Sequence, residues 1–373
     1  MKKVLSGILV SILVLIVTGG FFILNRYRKN PEQIVPYPYA FTQAAPGVKL
    51  EAPILIVGDR MGDYFGKFKS ELASVISADL EKPIRIQSLA RPGQGLHRTI
   101  HQLKSVTQWP QILIYQGASE EFAENKFEFT EIRKIAANFG RFKDERIETL
   151  LILYPWLSRI VYEPVRRVRL DPEPVAFEAA SEEEFLQRLD TELLLFEQQL
   201  TELVNLSKNR NSLLVLTTTP LNLDIPPKKV CEFATNTDVE TGIYEVREKI
   251  KANDVKAAYA RSQKLSQLFS GNAQLFFIHG QIAKRLGYLD EAKAILRKAT
   301  AFDCKAWRAT EVQNAIIRKV AEKHRVLLFD FALLVENEWT LNQTYFDELH
   351  PQNLYYDKGM EQLGLVIKSI LKL

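Results

Sequence analysis

The chain predicts an α/β fold: a parallel five-stranded sheet with helices on both faces, interrupted by an all-α insertion and preceded by one transmembrane helix. Three observations carry this. After residue 53, short apolar runs alternate with amphipathic segments, the pattern of strands covered on both sides. Between Val239 and Cys304 the pattern turns purely helical and repeats itself. Val4 to Leu24 is 21 residues without a charge, against about 20 needed to cross a bilayer.

The cleaved type of leader has an apolar stretch of only about 7–15 residues followed by small residues. Here the run continues through Phe21, Phe22, Ile23 and Leu24 into Arg26, so residues 1–30 read as an uncleaved anchor that contacts the membrane through residues 4–24. Lys2 and Lys3 nearly balance Arg26, Arg28 and Lys29, which leaves orientation open under the positive-inside rule. Pro31, Pro36, Pro38 and Pro46 make residues 31–52 an extended linker. Those five N-terminal basic residues account for more than the formal charge of +4, and without them the remainder carries −1. A body with that balance has no electrostatic footprint for nucleic acid.

The predicted strands are Ile54–Gly58, Ile84–Leu89, Ile112–Gln116, Leu213–Thr217 and Val326–Asp330, each a short apolar run bounded by turn residues. Apolar residues at helical spacing mark Tyr64–Ile76, Leu96–Val106, Glu145–Leu157, Phe185–Leu206, Ala306–Lys323 and Gly359–Leu371. Parallel sheets bind ligands beyond the carboxyl ends of their strands, which directs attention to Gly58–Arg60, Gln116–Glu120 and Thr217–Pro220.

In the helical stretch, the segment Asn253 to Ala258 recurs as Gly287 to Ala292, 34 residues later. That is the tetratricopeptide (TPR) period. Gly280, Ala292, Leu296 and Ala299 fit the pattern of that repeat, while Val246, Ser262 and Leu265 depart from it in the first copy. A TPR-like pair and an ordinary helical insertion are the two readings; the former adds a protein partner. Since about three repeats are needed for a free-standing array, the pair must lean on the core. The organisation is thus anchor 1–30, linker 31–52, core 53–230, insertion 231–304 and core 305–373.

Two cysteines, Cys231 and Cys304, are too few for a disulfide scaffold, and no Cys/His spacing suggests zinc. With no Walker loop or dinucleotide fingerprint either, no metal and no cofactor is predicted. The cysteines bracket the insertion where chain entry and exit must converge, so a bridge is one expectation and two reduced thiols the other. The run Arg159–Arg169 holds four arginines and reads either as a solvated strip or as an anion contact.

Gly58-Asp59-Arg60 after the first strand and Asp347-Glu348-Leu349-His350-Pro351 near the end resemble the first and last blocks of the SGNH (GDSL-type) hydrolases. The resemblance spans about 53–221 and 305–373 and implies a flavodoxin-like core. It also implies a serine nucleophile, oxyanion donors from a glycine and an asparagine, and a histidine base held by an aspartate. Here Arg60 stands where the serine belongs, and Ser119, in Gly117-Ala118-Ser119-Glu120, stands where the asparagine belongs. The second-block glycine is Gly93 or Gly95. His350 and Asp347 survive, either as a general base with its orienting group or as an inherited hydrogen bond. Arg60 reads either as an anion or glycan contact or as a plug ion-paired to Asp59, Asp63 or Glu120. The pocket is expected to be lined by Gly58, Asp59, Arg60, Gly93, Gly95, Gly117 and Glu120. Family members with such an anchor face outward, which implies an extracytoplasmic, periplasmic body. Three functions follow. One is a non-hydrolytic binding protein. Another is an ester hydrolase or O-acyltransferase on envelope glycans or lipids using His350 and Asp347, with Ser119 as relocated nucleophile. The last is a scaffold acting through its insertion.

Overall fold

The computed structural model describes residues 11–22, 39–40, 47, 49–78, 80–124, 126–142, 146–147, 150–151, 154, 157–161, 168–169, 181–339 and 344–371. The chain divides into two compact units, one of Met1–Ala40 with Phe127–Val168 and one of Phe41–Lys126 with Arg169–Leu373. Residues 231–304 fall in the second unit and 127–168 in the first.

In the first unit, residues 11–22 are helical. Among the described residues no helix is long and apolar enough to cross a membrane, and the predicted span at 4–24 extends beyond them at both ends. Ile132–Phe142 forms a helix that the sequence reading passed over. Leu151 gathers Ile147, Leu157 and Val161 into a small apolar cluster. Much of the predicted helix Glu145–Leu157 and of the arginine run lies outside the described residues.

The second unit is built on strands β1 (Ile54–Gly58), β2 (Ile86–Ser88), β3 (Ile112–Gln116), β4 (Leu213–Thr217) and β5 (Leu327–Phe329). They pair in the order β2-β1-β3-β4-β5, all parallel. Register runs straight through the middle, with Ile114 opposite Ile56 on one side and Val215 on the other. Alternation sends Leu55, Val57, Leu113, Tyr115, Leu214 and Leu216 to one face and Ile54, Ile56, Ile112, Ile114 and Val215 to the other.

The helices of this unit begin with α1 (Arg60–Phe65), α2 (Lys69–Ser77), α3 (Leu96–Lys104) and the 28-residue α4 (Glu182–Asn209). The insertion contributes α5 (Thr237–Lys251), α6 (Val255–Leu268), α7 (Ala273–Arg285) and α8 (Leu289–Ala301), and the chain closes with α9 (Glu311–His324), α10 (Phe331–Glu336) and α11 (Asn353–Leu371). Leu96, Ile100 and Leu103 of α3, Phe196, Leu200 and Leu203 of α4, and Ile317 and Val320 of α9 cover the first face. Phe65, Leu72 and Ile76, with Tyr356, Met360, Leu363 and Ile367 of α11, cover the second. Strand order reverses between β1 and β3, so the crevice beyond Gly58 and Gln116 is where this topology places a ligand.

The insertion is two helical hairpins. Gly242 receives Leu265 and Gly280 receives Leu296, and a Cβ at either glycine would lie within 2.7 Å of that leucine side chain. Close approach of paired helices is therefore built into both hairpins. Cys231 and Cys304 are disulfide-bonded at the insertion's base, their Cα atoms 5.3 Å apart.

Candidate functional site

β1 ends at Gly58, whose φ of 143° lies outside the range most side chains tolerate, and a Cβ there would collide with the Gln116 carbonyl of β3. This tight approach turns the chain sharply, so that Asp59 caps α1 by accepting the Met61 N–H at 2.8 Å. Its other oxygen, Oδ2, accepts the Ser119 N–H at 2.6 Å, the Ser119 hydroxyl at 2.7 Å and the Glu120 N–H at 3.1 Å. Ala118 bends the β3 loop into this clamp with φ 93°. Burial pushes the Asp59 carboxyl up to about 7; the Ser119 and Met61 hydrogen bonds pull it down, and Glu120 and Glu121 add repulsion.

Arg60 opens α1 and reaches across to Glu120, Nη2 to Oε1 at 2.9 Å, with 43% of the arginine side chain exposed and 9% of the glutamate's. Of the carboxylates named as partners for a plug, Glu120 is the one it meets. A guanidinium held this way cannot serve as a nucleophile.

His350 lies in the loop before α11. Asp347 accepts the Leu349 and His350 N–H groups through Oδ1, at 2.7 and 2.6 Å, and meets His350 Nδ1 through Oδ2 at 2.8 Å. Burial opposes ionisation of Asp347, but these hydrogen bonds outweigh it and hold its carboxyl below the usual range. The imidazole is flanked by Tyr64 and Phe346, with ring centroids 4.4 and 5.7 Å away. Its Nε2 is buried without a hydrogen bond. His350 and Asp347 are thus paired, but the Ser119 hydroxyl is committed to Asp59 and not to His350.

Gly93 and Gly95 differ clearly in their surroundings. Gly93 has φ 74° and open space around it, whereas Gly95 caps α3 with the Glu124 carboxylate packed against it. The first N–H of α3, on Leu96, donates to Glu121 at 2.7 Å. The helix end that could stabilise an oxyanion is therefore occupied by protein carboxylates. Lys126, fully buried, pairs with Glu121 at 2.6 Å and lies 3.8 Å from Glu124. Glu192 of α4 stands nearby among buried groups, and burial pushes its carboxyl up to about 7 despite Lys126 and Arg188. Sequence reasoning missed this cluster; its signal was the dense run of acids and one lysine in Glu120–Lys126.

A cavity of about 380 Å³ lies beside Arg60 and Glu120. Of the residues expected to line a pocket, Arg60 and Glu120 line this cavity, and Gly58, Asp59, Gly93, Gly95 and Gly117 are not part of its wall. Gly58 forms the strand turn, Asp59 holds the β3 loop and Gly95 starts α3, while the cavity is walled by α4 and the base of the insertion. Among the described residues no group of His, Cys, Asp and Glu is placed to hold a metal ion.

No family model matches the chain, and no curated protein matches it. A solved GDSL-like lipase from Bacteroides thetaiotaomicron VPI-5482 is similar in structure at 11% identity, over 88% of this chain and 93% of that one, with a TM-score of 0.34. A likeness of that degree does not assign this chain to a family or an activity.

Proposed function

We propose that this chain is a membrane-anchored, SGNH-like protein that works by binding rather than by serine-ester hydrolysis. It takes an anionic or glycan ligand beside Arg60 and a protein segment on its TPR-like hairpins. The observation that carries this reading is the occupied centre: Arg60 stands at the nucleophile position, bound to Glu120, and Ser119 is bound to Asp59. The purified full-length protein should therefore show no turnover of small acyl esters such as 4-nitrophenyl acetate. Turnover that survives Arg60→Ala but disappears in both Ser119→Ala and His350→Ala would establish the relocated-nucleophile enzyme instead. That alternative retains one favourable observation, the oriented His350–Asp347 pair with an unpartnered Nε2.

Anchoring through residues 4–24 is supported by the uncharged run and by the exposure of Leu15 and Phe21 on the helical stretch 11–22, at 71% and 73%. An outward-facing body is supported by the Cys231–Cys304 bridge, since disulfides persist in oxidising compartments. The full-length protein should stay with membranes through high-salt and carbonate washes. Release of a form beginning near residues 20–30 would show a cleaved leader instead.

A further inference from the structure

The cavity beside Arg60 is about 380 Å³, within the roughly 300–1,000 Å³ of small-molecule sites. Its lining divides by chemistry. Phe122, Phe185, Leu189 and Trp307 supply an apolar wall, with the small side chains Ala301 and Ala306 leaving space. Arg60, Arg188, Lys228, Lys229 and Lys305 face the same space, against the carboxylates of Glu120 and Asp303.

Both carboxylates are already committed. Asp303 accepts the backbone N–H groups of Lys228, Lys229 and Lys305 and the Trp307 indole N–H, at 2.9–3.1 Å. It therefore ties together the two chain segments that carry three of the lysines. Glu120 holds Arg60. The Lys228–Glu348 pair lies at 2.5 Å with the two side chains 40% and 53% exposed, a setting in which an ion pair contributes little. The body of the chain past its N-terminal basic residues carries −1, so this gathering of cations is local rather than a reflection of composition. A cavity with an apolar wall and a net positive mouth suits a ligand that has both parts.

We propose that this cavity binds an amphiphilic anion, a carboxylate or phosphate monoester carried on an apolar ring or short chain. The cations would meet the acidic group while Phe122, Phe185 and Leu189 cover the apolar body. This deepens the binding role given above and rests on it for the non-hydrolytic use of the site. Inorganic anions lack the part that the aromatic wall would cover, and neutral glycans lack the charge.

The test is calorimetric titration of the full-length protein with 1-naphthyl phosphate and with octanoate, which represent ring and chain sources. Inorganic phosphate and 1-naphthol serve as the separated halves. Saturable one-to-one binding of either amphiphile is expected, with each half binding at least about tenfold more weakly, 1-naphthol for want of the charge-assisted contacts and phosphate for want of apolar burial. The double variant Lys229→Glu/Lys305→Glu should weaken binding by about tenfold or more. Lys305→Glu alone, on an exposed side chain, should weaken it in the same direction without disturbing the fold, and Lys319→Glu on the outer surface of α9 should not. Absence of binding by both amphiphiles, binding insensitive to these reversals, or equal binding by phosphate or naphthol would overturn the proposal. Hydrolysis of 1-naphthyl acetate by the same preparation would break the non-hydrolytic reading while leaving a positive binding result standing.

Discussion

Asp59 shows how one side chain can hold three segments of a chain together. Its two oxygens collect three backbone N–H groups and one hydroxyl, so it fixes the β1 turn, the start of α1 and the β3 loop together. Asp59→Ala removes the acceptor for all of them in a buried place. Each orphaned buried donor costs about 1–3 kcal/mol, partly offset because a desolvated carboxyl is also removed. Denaturant unfolding should show a net loss of about 2–4 kcal/mol, whereas Ser119→Ala, which deletes one hydroxyl donor, should cost about 1–2 kcal/mol. Equal losses for the two variants would mean that the backbone N–H groups contribute little to the clamp. None of this was legible in the linear chain. Asp59 read as part of a turn, and its bonds to Ser119 and Glu120 join residues 60 and 61 positions apart.

At the scale of elements, the central strands Ile54–Gly58, Ile112–Gln116 and Leu213–Thr217 coincide with their apolar runs because both faces and both edges of each are covered. The outer strands are shorter than their runs: Ile86–Ser88 lies within Ile84–Leu89 and Leu327–Phe329 within Val326–Asp330. Each of these has a partner on one side in the sheet, so its hydrogen bonds end sooner than its hydrophobicity does. Helix starts were the least legible. The 28-residue helix begins at Glu182, earlier than its apolar spacing, because Ser181 caps it by accepting the Glu184 N–H. That helix also carries Glu192, whose carboxyl is raised from 4.5 to about 7 by burial. A carboxyl with a raised folded-state pKa contributes stability below its unfolded pKa, and that contribution is lost as pH rises through the folded one. Between about pH 4.5 and 7 Glu192 should therefore erode stability by about 3 kcal/mol, taking 1.36 kcal/mol per pKa unit. Glu192→Gln should flatten that part of the pH–stability curve and be the more stable form at pH 8. An unchanged slope would show that Lys126 already compensates the ionised group in full.

For the whole molecule, the joint between core and insertion is where the cavity, the disulfide and the Asp303 hydrogen bonds meet. The sequence placed both cysteines at this joint but left their pairing open, since separation in space is not written in spacing along the chain. The bridge closes a loop with a sequence separation of 73, for which loop-closure entropy in the unfolded chain amounts to about 4 kcal/mol. It is not the only tie. The Cys304 N–H donates to the Lys229 carbonyl at 3.0 Å, and Asp303 gathers donors from both sides of the joint. Reduction should therefore leave the native arrangement in place while lowering its stability. Thermal unfolding of the full chain should shift down on treatment with dithiothreitol, and Cys231→Ser/Cys304→Ser should reproduce the shift without any reductant. Circular dichroism at 25 °C should be the same in all three samples, because the remaining ties hold the helices in register. If reduction instead unfolded the insertion helices at that temperature, the bridge rather than Asp303 would be what holds the joint, and the cavity would depend on the redox state of its surroundings.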